Sequence, residues 1–152
     1  MSLRSAVESL ANSSFSSKCS AGREAFNDID YYLRGLGRDG LSAMDAALYI
    51  CITVFKADYN FSDTEIQFMA EVSGNTGIQK SEWINRIIPE IRRDSEGYIA
   101  RRIRELEEAP LNIRRSAILL AALAAVCDHD LSYYETSEIE SWTNRLHCYF
   151  ND

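Results

Sequence analysis

The chain is expected to fold as an all-α bundle of seven or eight helices, and three observations predict it. Apolar residues recur at three- and four-residue spacing along most of the sequence. No alternating apolar/polar run bounded by turn residues marks a strand. Two long segments, 42–57 (SAMDAALYICITVFKA) and 112–127 (NIRRSAILLAALAAVC), are apolar on nearly all sides, as helices buried inside a bundle are. At 152 residues the chain has the length of one domain.

In chain order, Leu3, Ala6, Val7 and Leu10 mark a short first helix, and the serine-rich stretch 12–22 reads as a linker. A second helix places Phe26, Ile29, Leu33 and Leu36 on one face and ends at Gly35 and Gly37. The buried helix 42–57 follows, then an amphipathic helix from Asp63 to about Val72. Residues 74–110 connect to the second half. They hold one helix opened by Ser81 and Glu82 and another ending near Glu108, and Pro89 either kinks the first or begins the second. The buried helix 112–127, whose alanines allow a neighbour to approach closely, leads to a last helix from Tyr133 to about Cys148. The chain thus divides into N-terminal helices (1–40), a first repeat (41–73), connecting helices (74–110) and a second repeat (111–149). The repeated unit is helix, acidic loop, helix.

The acidic loops are the most informative feature. DYNFSDTE (58–65) and DHDLSYYE (128–135) fit one template: Asp, any residue, Asn or Asp, an apolar residue, Ser, two residues, Glu. Ser62 with Glu65, and Ser132 with Glu135, have the spacing of capping boxes, which explains the serine and glutamate without a ligand. That does not explain Asp58 with Asn60, or Asp128 with Asp130. Oxygen side chains two apart in a tight turn, joined by a carboxylate from the next helix, suit hard cations such as Ca²⁺ or Mg²⁺. An EF-hand is excluded, because its glycine position is occupied by Asp63 or Tyr133 and its terminal glutamate position by Met69 or Ile139. The candidate ligands are therefore Asp58, Asn60, Glu65, Asp128, Asp130 and Glu135. Two carboxylate clusters brought together repel, and a bound divalent ion relieves that repulsion.

A long apolar helix ending in an acidic turn, with Ser and Glu opening the next helix, recurs about seventy residues later; over roughly residues 40–149 this resembles the TerB family of tellurite-resistance-associated proteins. Ala57, Asp58 and Glu65 match that family's turn in the first copy, and Asp128 and Glu135 in the second. Tyr59 and His129 stand where the family has glycine, and Cys127 where it has alanine. The resemblance implies a helical bundle with divalent-cation sites, for which Ca²⁺, Mg²⁺, Mn²⁺ and Zn²⁺ are the candidate ions. It also implies a link to tellurite or chemical stress, and protein partners that include membrane-associated complexes.

Composition narrows the alternatives. With 16 basic and 23 acidic residues the net charge is -7, which argues against general nucleic-acid binding and is compatible with attraction of cations. Eight arginines face six acids between residues 86 and 115, so this segment carries +2 and the rest -9. It is either a docking face for an acidic partner or a solvated surface with local pairs such as Arg101–Glu105 and Arg104–Glu108. The four cysteines form no C-x-x-C pair and read as buried thiols in a reducing, cytoplasmic setting. Cys127, His129, His147 and Cys148 are zinc-type ligands, but a helix from 133 to 148 would separate them by roughly 20 Å. The apolar run 117–127 is shorter than the roughly 20 residues a membrane span needs. No Glu-x-x-His pair, serine-hydrolase motif or phosphate-binding loop is present. The Tyr31–Tyr32 and Tyr133–Tyr134 pairs, Trp83 and Trp142 are expected at the core or its rim. The expected function is a non-enzymatic cation-binding or sensing domain. The rival is a metal-free interaction module that docks through its arginine-bearing connecting region.

Overall fold

The computed structural model describes residues 2–37, 40–55, 61–128 and 133–149, and for residues 133–135 the backbone alone. The described residues are helical and contain no strand. Ser2 caps α1 (Leu3–Ala11) by accepting from the Ser5 N–H, and Leu3 and Val7 are buried. The next helix begins much earlier than its serine-rich sequence suggested: α2 spans Phe15–Gly35, and only residues 12–14 separate it from α1. Ser14 is the N-cap, accepting from the Ser17 N–H at 3.1 Å. The linker expected at 12–22 is therefore mostly helix. The reason is packing, because Cys19, Gly22, Ala25, Phe26, Ile29 and Leu33 form a continuous buried stripe.

Gly22 shows what that stripe packs against. A Cβ at this position would lie 2.9 Å from both Phe68 Cζ and Val72 Cγ1 of α4 (Asp63–Ser73), whose side chains are themselves buried. Gly22→Ala is expected to destabilise the protein by about 1–2 kcal/mol, an overpacking cost of about 1–3 kcal/mol reduced by alanine's better helix propensity. Urea unfolding checks this, and a variant at least as stable as the parent would contradict the close approach.

The two segments with all-round apolar sequence form the middle of the fold. They are α3 (Gly40–Val54) and α8 (Leu111–Val126), and they pack on each other and on α2. From Leu120 through Val126 every residue of α8 is at most 1% exposed. Further neighbours, α1, α7 (Tyr98–Glu107) and α9 (Tyr133–Arg145), surround α8. The small alanine side chains let these helices approach.

Between the two halves, α5 (Lys80–Glu82), a π-turn (Trp83–Ile87) and α6 (Ile88–Arg93) run continuously, so the described residues make eight helices. This first connecting helix starts at Lys80, with Gln79 rather than Ser81 at its cap. Pro89 does not begin the helix that ends at Glu107; it stands in the first turn of α6, directly after the π-turn. An α-helical winding would drive the proline ring into the Asn85 carbonyl and leave no N–H to bond it. The chain instead widens to a π-turn, with the Ile88 N–H bonded to the Trp83 carbonyl. Asp94 then caps α7, its two carboxylate oxygens accepting from the Ile99 N–H (3.1 Å) and the Ala100 N–H (2.9 Å).

The last helix stops at Arg145, short of the expected Cys148. The Cys148 N–H bonds the Thr143 carbonyl and the His147 N–H the Asn144 carbonyl, a Schellman ending with His147 in the left-handed region at φ 50°. Arg114 holds this ending. Its Nη1 donates to the Leu146 carbonyl (3.0 Å) and the His147 carbonyl (2.9 Å), and its Nε donates to the Ala109 carbonyl. Reversal there buries Cys148, which is 2% exposed.

Candidate metal centre

The candidate site forms where α3 ends, α4 begins and α8 ends. Phe61 leads into α4 and is buried, edge-on to Phe55 at 5.9 Å, with the Arg92 guanidinium over its ring at 5.6 Å. This anchors the residue just before the helix cap. Ser62 then forms the capping box expected from its spacing: its Oγ accepts from the Glu65 N–H (3.1 Å), and its own N–H donates to Glu65 Oε1 (2.8 Å). One carboxylate oxygen of Glu65 is thereby committed to the helix start.

Ser62 also does something its spacing did not suggest. Its hydroxyl proton goes to Asp128 Oδ2 at 3.1 Å, across 66 residues of sequence. A serine oxygen has one proton and two lone pairs, so it can accept from Glu65 and donate to Asp128 at once. The cap residue of α4 and the residue that follows the C-cap of α8 are thus in direct contact. Asp128 is exposed and follows the C-cap residue Cys127, at the end of α8. The helix dipole there disfavours a carboxylate, so a hydroxyl donor or a cation is a favourable neighbour.

The α9 side is fixed separately. Trp142 Nε1 donates to Thr53 Oγ1 at 2.8 Å near the end of α3, and the Trp142 ring meets Tyr49 edge-on at 6.4 Å. Helix α9 therefore rests on α3. Neither this bond nor the Ser62–Asp128 bond has a signature in composition or spacing.

Of the six candidate ligands, Glu65 and Asp128 are fully described, and Ser62 joins them. Asp58, Asn60 and Asp130 lie outside the described residues, as do His129 and Ser132. Glu135 lies in the first turn of α9, and its side chain is outside the description. Among the described residues no three His, Cys, Asp or Glu side chains converge to hold an ion. Asp63, the other acid of the first turn, pairs with Lys80.

All four cysteines are free and buried. Burial pushes the Cys51 thiol up to about 12, and burial, then the Glu71 charge, pushes Cys19 up to about 11. Neither is an available nucleophile near neutral pH. In the arginine-bearing segment, Arg86 pairs with Glu82 (2.6 Å) and Glu90 (3.8 Å), and its pKa is raised, chiefly by the hydrogen bond to Glu82. Arg102 is buried and pairs with Glu105 at 2.7 Å, while Arg101 lies over the Tyr98 ring at 4.8 Å. Arg93, Arg101 and Arg104 are exposed.

No protein-family model, curated protein or solved structure matches this chain. Among the described residues no helix is long and apolar enough to cross a membrane.

The Ser62 contact gives a local test. Ser62→Ala removes a helix cap and the donor to Asp128, and is expected to cost about 1–2 kcal/mol. Combined with Asp128→Ala in a double-mutant cycle, the pair should show a coupling of about 0.5–1 kcal/mol. Additive losses in urea unfolding would mean the two turns do not interact through this bond.

Proposed function

We propose that the chain is a non-catalytic divalent-cation-binding or sensing domain of the TerB type, in which its two acidic turns share one ion. The ligands would come from Asp58, Asn60, Glu65, Asp128, Asp130 and Glu135. The observation that carries this reading is the Ser62 Oγ–Asp128 Oδ2 hydrogen bond, which brings the start of α4 against the end of α8. Oxygen donors concentrated at such a junction match the hard-cation preference for carboxylate, carbonyl and amide oxygen. The pseudo-repeat belongs to the same reading: a buried helix, an acidic turn and a second helix occur twice, as α3 with α4 and α8 with α9. A role in tellurite or chemical-stress response, a cytoplasmic setting and membrane-associated protein partners rest on the family resemblance. Buried thiols and the lack of a catalytic motif support a binding rather than an enzymatic role.

Thermal melting with Ca²⁺, Mg²⁺, Mn²⁺ and Zn²⁺ tests the proposal. At an ion concentration of about 100 times Kd, the melting temperature is expected to rise by about 5–10 °C. The rise should disappear in the Asp58→Asn, Asp128→Asn double variant. No rise with any of the four ions, or an undiminished rise in the double variant, counts against it.

A second reading has its own observation, the exposure of Arg93, Arg101 and Arg104 along the connecting segment. In it the chain is a metal-free interaction module, and this basic segment docks an acidic protein. Partner binding that persists in chelator and is lost on replacing these arginines favours the second reading over the first.

A further inference from the structure

We draw no further inference here: the strongest candidate, the open apolar groove between the end of α2 and the start of α8 lined by Tyr31, Tyr32, Leu36, Pro110 and Ile113, carries nothing because nothing in the structure shows what covers it.

Discussion

Trp83→Ala is expected to lower the free energy of unfolding by about 3–5 kcal/mol. Trp83 is 0% exposed and opens the π-turn of the connecting helix, where its carbonyl takes the Ile88 N–H. Its side chain is the largest of those fully buried. Removing the indole opens a cavity at the point where the winding changes, and the flanking turns cannot close it without losing the π-turn that accommodates Pro89. The indole N–H, however, has no hydrogen-bond partner among the described residues. An unsatisfied buried donor costs about 1–3 kcal/mol, so Trp83→Phe, which removes the donor and keeps a ring, should lose much less than Trp83→Ala. Urea unfolding of the two variants checks both statements. A Trp83→Ala variant within about 1 kcal/mol of the parent would contradict the packing described for this helix.

Stability is expected to fall steeply between about pH 9 and pH 12. The Cys51 thiol is 0% exposed in the last turn of α3, and burial raises it from 9.0 to about 12. Below pH 9 the thiol is protonated in both states, and its contribution is fully present. Above pH 9 the unfolded chain loses the proton while the folded chain keeps it, so the unfolded state is favoured. The slope is about 1.4 kcal/mol per pH unit for one proton, and Cys51 alone removes about 4 kcal/mol by pH 12. Cys19, raised in the same direction, steepens the lower part of this range. Cys51→Ala should be less stable at neutral pH, because it leaves a cavity, yet lose stability more slowly above pH 9. Parallel alkaline slopes for the parent and the variant would show that Cys51 does not titrate in this way.

The parts of the fold legible in the sequence were those set by local composition. Beyond their first turns, helices α3 and α8 are apolar on almost all sides, and only a central position satisfies that. The Ser62–Glu65 cap follows from a three-residue spacing and is present as expected. What could not be read depended on partners distant in sequence. Residues 12–22 suggested a linker because serine and glycine favour loops, but Gly22 is small because Phe68 and Val72 press against it. His147 ends α9 in a conformation usually taken by glycine, held by an arginine from α8. The aromatic residues divide between interior and surface: Trp83 and Trp142 are buried, whereas Tyr31 is 82% exposed. For the candidate site, the sequence identified which side chains recur in the two turns. It did not identify Ser62 as the group that spans them, because its cap role already accounted for it.

Calorimetric titration of the protein with Ca²⁺, Mg²⁺, Mn²⁺ and Zn²⁺ measures most directly whether the two turns form one cation site. The account predicts saturable binding of one ion per chain for at least one of these metals, abolished in the Asp58→Asn, Asp128→Asn variant while its fold, read by circular dichroism, is retained. Absence of binding by all four ions, or unchanged stoichiometry and affinity in that variant, would contradict it.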